Sequence, residues 1–262
     1  MSSSDANWAP LVASKVSEVL ADSSFTVPST AFSSITSPNA QFALAIDHTL
    51  LKPDATPAQV DELCDQAIRY KFMSCCVNGA NVEQVSRRLA GSSSLTCAVI
   101  GFPLGAGTTV SKAFEAANAV KNGAHEIDMV VNVGALKAGN FALVHADIQA
   151  VVHAVANTPV KVILETVFLS DEEKIAASFL AAEAGAAFVK TCTGFSGGGA
   201  TATDVLLMRK SVAYKPSVKV KASAGIRSFD KCLEMFKAGA ERIGTSSGAA
   251  IMESAEVAAG SY

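Results

Sequence analysis

No apolar run in this chain reaches the ~18 residues that a membrane-spanning helix needs. The N-terminus has neither the apolar core of a secretory signal nor the arginines of a transit peptide, so a soluble cytoplasmic protein is expected, with no membrane partner. Basic excess is missing too. Lys and Arg number 21 against 24 Asp and Glu, a formal net charge of -3. No general cationic field draws nucleic acid, and any anionic ligand must be held by local charge. The six cysteines, at 64, 75, 76, 97, 192 and 232, include no CxxC spacing and mostly sit in apolar runs, which suits reduced thiols filling a core. His48, His125, His145 and His153 show no HExxH or short HxH spacing, and neither GxGxxG nor GxxxxGK(S/T) occurs. No metal and no nucleotide cofactor is expected.

What is present is a large apolar fraction in a regular rhythm. With 262 residues, half of them hydrophobic, the chain can bury one large core, and α/β barrels commonly reach this length as a single domain. Residues 1–40 are rich in serine, but Trp8 to Asp22 places Leu11, Val12, Val16, Val19 and Leu20 on one helical stripe. This predicts an added amphipathic helix over about 8–22, followed by a loop. From Ala43 onward, short apolar runs alternate with ten to fifteen residues of helical spacing. Strands are expected at 43–50, 73–77, 96–100, 126–131, 160–165, 187–191, 218–222 and 242–244. Helices are expected near 57–70, 80–90, 109–122, 140–156, 170–184, 201–213 and 228–238, with a short one after Ser246. Gly123, Gly185 and Gly239 recur just past a helix, where a left-handed residue ends it. Eight such units favour a closed (β/α)8 TIM barrel over an open doubly wound sheet. The expected layout is an N-terminal extension at 1–40, a barrel at 41–255 and a tail at 256–262.

In such a barrel the chemistry gathers at the C-terminal ends of the strands. Phe188-Val189-Lys190-Thr191-Cys192-Thr193-Gly194-Phe195 and Val218-Lys219-Val220-Lys221-Ala222-Ser223-Ala224-Gly225 each run from strand-like residues into a lysine and then a turn of small residues. Alone, either lysine reads as an ordinary strand-end charge. As a pair they suggest an amine nucleophile, because burial and a nearby cation both disfavour the ammonium form. Free lysine titrates near ~10.4, and lowering that by roughly three units corresponds to ~4 kcal/mol. Nothing in the pattern chooses between Lys190 and Lys221. Asp47, Asp128, Lys161 and Glu165 would face the same mouth. Asp128, on the inward face of a buried strand, needs a cation such as Lys161 or Lys221 and can also relay protons. Gly225-Ile226-Arg227 and Gly244-Thr245-Ser246-Ser247-Gly248 open the last two helices with small residues, a phosphate-binding arrangement in this fold.

These stretches, IDHTLLKP, CCVN, GFPLGAGTT, EIDMVVNVGALKAGN, VKVILET, VKTCTGFSGGGAT, KASAGIR and RIGTSSG, resemble the class I deoxyribose-phosphate aldolases from about Ile46 to Ile251. The resemblance implies reversible cleavage of 2-deoxy-D-ribose 5-phosphate to D-glyceraldehyde 3-phosphate and acetaldehyde, with no cofactor. Lys190 would form the Schiff base, Lys221 would lower its pKa, Asp128 would move protons and Lys161 would support the network. Asp47, Thr49, Cys76 and Thr193 would bind the sugar, and Gly225, Arg227, Ser246 and Ser247 its phosphate. A homodimer is compatible with the resemblance. The tail ending at Tyr262 resembles those of some members, where the tyrosine hydroxyl would assist proton transfer; a disordered end explains it equally well.

Two positions depart from the pattern. Ala224 stands where glycine is more common, and Val167 where a smaller or sulfur-bearing residue is common; altered affinity is the expected result. Two rivals stay open: a Schiff-base aldolase for a different phosphosugar, and a sugar-phosphate sensor that keeps the barrel but does no chemistry.

Overall fold

Short β-branched and apolar runs, each too short to stand alone, are buried on both faces when parallel strands are covered by helices. The computed structural model describes residues 5–253 in this form. In chain order it runs α1 (Asp5–Ala21), α2 (Ala40–Ala43), β1 (Ile46–Leu50), α3 (Pro57–Tyr70), β2 (Ser74–Val77), α4 (Val82–Leu89) and β3 (Leu95–Ile100). There follow α5 (Thr109–Lys121), β4 (Glu126–Val130), α6 (Val133–Lys137), α7 (Phe141–Ala154), β5 (Val160–Ile163), α8 (Asp171–Glu183) and β6 (Phe188–Lys190). The chain then continues through α9 (Ala202–Ser211), β7 (Lys219–Ser223), α10 (Phe229–Lys237), β8 (Arg242–Thr245) and α11 (Gly248–Met252). The eight strands pair in sequence order, all parallel, and β1 closes on β8, which is the expected TIM barrel.

Local chemistry sets the helix ends. Thr56 with Gln59 and Ser170 with Glu173 form capping boxes that start α3 and α8. Gly123, Gly185 and Gly239 all take φ between +93° and +105°, the left-handed stop expected of them. The main core lies between strands and helices, around residues such as Ile127, Met129, Val162, Leu180 and Ile243. A second cluster inside the barrel consists of Leu51, Cys76, Cys97 and Val99, with Phe102 packed on it.

The first strand begins later than expected. Asn39 accepts a hydrogen bond from the Phe42 N–H at 2.9 Å and starts α2, so the apolar run 42–45 turns as a helix before β1. The fifth strand ends at Ile163 because Glu165 is left-handed, at φ +57°, and opens a 3-10 turn over Thr166–Phe168. The stripe on α1 is also corrected. Trp8, Val12, Val16 and Val19 face inward, whereas Leu11 and Leu20 are exposed. The helix packs on α7, α8 and α9. The Trp8 ring lies 4.3 Å from that of His145, and the Lys15 ammonium sits 4.2 Å from the centre of Tyr214. No helix among the described residues is long and apolar enough to cross a membrane.

Candidate active site

The parallel register brings the inward charges to common levels. Asp128 on β4 pairs with Lys161 on β5, and Lys190 on β6 pairs with Lys221 on β7. Their side chains converge on one carboxylate. Lys161 Nζ donates to Asp128 Oδ1 at 2.8 Å, and Lys190 Nζ and Lys221 Nζ both donate to Asp128 Oδ2 at 2.7 Å. The two nitrogens therefore share an oxygen and lie within a few ångströms of each other.

A second tier sits on the first. Asp47 on β1 meets Lys221 at 2.5 Å, Arg242 at 2.7 Å and the Ser74 hydroxyl at 2.7 Å. It therefore shares Lys221 with Asp128. Glu126 binds Lys161 at 2.7 Å and Arg242 at 2.9 Å. Gly244 leaves the room Lys221 needs, since a Cβ there would lie 3.0 Å from Lys221 Cε.

Four cations thus face three carboxylates, an excess of one positive charge. Burial opposes charge on Asp128, but Lys161, Lys190 and Lys221 override it and hold its pKa well below the carboxylate range. Asp47 is lowered in the same way by Arg242, Lys221 and Lys161. Burial likewise opposes charge on Lys161 and Lys221, yet Asp128 and Asp47 outweigh it and raise both amines above the usual lysine range. In both, the neighbouring carboxylates favour the ammonium form. Lys161 touches three carboxylates and Lys221 two. Among the described residues Lys190 touches only Asp128. It is also the one amine of the three with measurable exposure, 4% of its side chain against 0% for the others. The least compensated cation is therefore the one at the mouth.

The cysteines at this level are more than filler. Cys97 Sγ donates to Asp128 Oδ1 at 3.2 Å and accepts from Lys161 at 3.3 Å. Among the described residues, Cys76, Cys97 and Asp128 bring donor atoms within 4.8 Å of one another, but three ammonium groups on the same carboxylate repel a metal cation.

The residues assigned to the sugar and its phosphate are more dispersed. Thr193 is buried and donates through its N–H and its hydroxyl to Glu165. Thr49 turns its hydroxyl to the Asp47 carbonyl at 2.9 Å. With Ser246 it lines a cavity of about 220 Å3 that also includes Lys52, Glu62 and Gln66 but neither Lys190 nor Asp128. The two turns assigned to phosphate are tied together, because the Thr245 hydroxyl donates to the Ile226 carbonyl at 2.6 Å. Gly225 is exposed, and Arg227 is half-buried with an unpartnered Nε. The Ser247 N–H is already bound to Thr245 Oγ1 at 2.9 Å, which leaves it unavailable to an anion in this arrangement. Ala224 has φ +77°, so its departure from glycine is a matter of backbone strain as well as space. Val167 fills the room above Gly198, where a Cβ would lie 2.6 Å from Val167 Cγ1. Tyr262 lies outside the described residues.

Arg242 and Ser74 are members of the network that sequence reasoning did not single out. The signal was there for Arg242: in strand 242–244 the alternation that turns Gly244 inward turns Arg242 inward as well.

Fold and site together define an α/β-barrel enzyme built around a buried lysine at the C-terminal mouth. The chain belongs to the DeoC/LacD aldolase family, whose model matches residues 41–254. It is 55% identical over 217 residues to a deoxyribose-phosphate aldolase of Streptococcus gordonii, covering 83% of this chain and 97% of that one. It is 54% identical to deoxyribose-phosphate aldolase 1 of Staphylococcus aureus, covering 82% and 97%. A crystal structure from Coccidioides immitis, described as a candidate deoxyribose-phosphate aldolase, superposes with a TM-score of 0.88 at 38% identity, covering 97% of this chain and 98% of that one. A tetrameric deoxyribose phosphate aldolase from Aeropyrum pernix gives 0.78 at 31% identity, covering 87% and 98%.

Proposed function

We propose that this chain reversibly cleaves 2-deoxy-D-ribose 5-phosphate to D-glyceraldehyde 3-phosphate and acetaldehyde through a Schiff base on Lys190. The observation that carries the assignment of the lysine is the excess positive charge, with Lys190 its least compensated member. The named bacterial relatives support the substrate.

Lys190, once neutral, attacks the C1 aldehyde of the open-chain sugar, and the carbinolamine loses water to give a protonated imine. That imine withdraws the C2–C3 bonding pair as the C3 hydroxyl gives up its proton. Glyceraldehyde 3-phosphate departs, and an enamine remains. Protonation of the enamine at C2 and hydrolysis of the imine release acetaldehyde and restore the amine. Asp128 is a poor base while three ammonium ions hold it. Loss of the Lys190 proton removes one of them and raises its basicity at the step where a proton must be received. Lys221 and Lys161 stay charged throughout and keep the acid in place. Gly225, Arg227 and Ser246 are the groups we assign to the phosphate, whose binding energy holds the sugar while distant carbons react. The six unpaired thiols favour a reducing cytoplasm, and a homo-oligomer is the assembly we expect.

Borohydride reduction in the presence of acetaldehyde, followed by peptide mass mapping, tests the assignment. An ethyl adduct on Lys190 is expected. Absence of the adduct in a protein that still binds the sugar phosphate would leave the non-catalytic sensor as the surviving reading. Comparing cleavage of 2-deoxyribose 5-phosphate with that of fructose 1,6-bisphosphate separates this substrate from other phosphosugars.

A further inference from the structure

Glu165 is a buried carboxylate that the chemistry above leaves unused, at 2% exposure and in a left-handed conformation with φ +57° and ψ +60°. A non-glycine residue held there is strained, and such strain persists where the surroundings fix it for a purpose. No lysine or arginine among the described residues lies within ion-pair distance of it. Its oxygens instead accept the Thr193 N–H at 3.2 Å, the Thr193 hydroxyl, and the Ser196 hydroxyl at 3.2 Å.

This side chain extends the pairing of β5 and β6 past the strand ends. The Leu164 N–H donates to the Lys190 carbonyl at 2.9 Å, and the Thr166 N–H donates to the Thr191 carbonyl at 3.2 Å. At the next opportunity the Thr193 N–H finds the Glu165 carboxylate. The left-handed turn has taken the Glu165 carbonyl away to the Phe168 N–H, so the side chain supplies the acceptor. Thr193 Oγ1 in turn accepts the Phe195 N–H at 3.0 Å, and Phe195 packs edge-on to Phe102 at 5.2 Å. Farther along the same loop the Ala200 N–H donates to the Ala224 carbonyl at 3.0 Å, and a Cβ on Gly199 would lie 2.8 Å from that carbonyl. The loop that leaves Lys190 thus leans on the turn containing Gly225.

We infer that Glu165 is a positioning residue that sets the phosphate end of the substrate site, acting through the Thr193–Ser196 segment on the Ala224–Gly225 turn. The inference rests on the reaction proposed above. Its sign is diagnostic. Glu165→Gln removes a negative charge from the mouth, so electrostatics alone tightens binding of a phosphate dianion. The amide also places a donor where two hydroxyl donors now point, which loosens the loop and weakens binding.

The test compares Glu165→Gln with wild type on 2-deoxyribose 5-phosphate, on unphosphorylated 2-deoxyribose, and in borohydride trapping of acetaldehyde. The variant should raise KM for the phosphorylated sugar about tenfold, and lower the ratio of kcat/KM between the two sugars by a similar factor. Trapping at Lys190 should stay within about twofold of wild type. Ser196→Ala removes one of the three hydrogen bonds and should lower the ratio about two- to threefold; it carries the test if the first variant does not fold. An unchanged or increased ratio in the variant, where the wild type traps acetaldehyde, overturns the role of Glu165 alone. A wild type that traps nothing overturns the reaction itself, and the role of Glu165 with it.

Discussion

Replacing Asp128 by Asn is the most searching perturbation of the network. The side chain keeps its shape but loses its charge, and one oxygen that now accepts becomes an N–H donor. Whichever way the amide turns, at least one of the three ammonium groups meets a donor. Lys161 retains Glu126 and Asp47, and Lys221 retains Asp47, but Lys190 retains no carboxylate. Breaking a fully buried ion pair from one side costs about 3–5 kcal/mol. For a chain of this size that corresponds to a Tm lowered by roughly 6–20 °C. The pH dependence has a definite sign. In the wild type the folded pKa of Asp128 is depressed, so its contribution is present above the unfolded value near ~3.9 and is lost as pH falls. Lys161 and Lys221 are raised; their contribution is complete below ~10.4 and is lost as pH rises beyond it. In the variant Lys190 loses its carboxylate while two ammonium groups stay beside it, so its charged form is less favoured folded than unfolded; unfolding takes up a proton there and stability gains with alkalinity. Calorimetry from pH 6 to 10 should therefore show the Tm gap narrowing as pH rises, alongside a fall of at least about a hundredfold in kcat/KM. A gap under 2 °C, or one of constant size across that range, would refute the account of the network.

Three further outcomes follow from the same geometry. Lys221→Met removes the second cation on Asp128 Oδ2; at an effective dielectric near 20 its influence on a charge a few ångströms away is about 3 kcal/mol, so kcat/KM at pH 7 should fall ~100-fold and recover in part at pH 9–10. A loss of equal size at every pH would count against a charge effect. Ala224→Gly relieves a left-handed alanine and should raise Tm by roughly 1–3 °C with no loss of phosphate affinity; a lowered Tm would show that the methyl group packs usefully. Deleting Tyr262 should slow solvent proton exchange into acetaldehyde while leaving trapping at Lys190 intact, and unchanged exchange removes the tail from the mechanism.

The barrel was legible because its punctuation is local. Glycines 123, 185 and 239 end helices by backbone conformation, which needs no knowledge of the fold. The inward position of Asp128 followed from alternation, and the common mouth of Lys161, Lys190 and Lys221 from their places in or at the ends of their strands. What alternation could not supply was the partner list. That Asp47 and Asp128 share Lys221 depends on the register of β1, β4 and β7 around a closed ring, which is set by the whole barrel. The stripe on α1 was misread for a related reason: Leu11 and Leu20 satisfy helical spacing as well as Trp8 does, and only the shape of α7 and α8 decides which side is covered. Glu165 read as a strand residue because nothing local announces a left-handed glutamate; its carboxylate contacts with Thr193 and Ser196 hold it there.

Glu126 and Arg242 are the first residues of β4 and β8, at the opposite end of the barrel from the mouth, and their ion pair closes that end beneath Lys161. The guanidinium rests 5.1 Å from the Phe188 ring, and both side chains are under a tenth exposed. The amine network thus rests on an ion pair. A change at Glu126 or Arg242 therefore reaches the amines from the side opposite the substrate, through Lys161 and Asp47 rather than through the mouth.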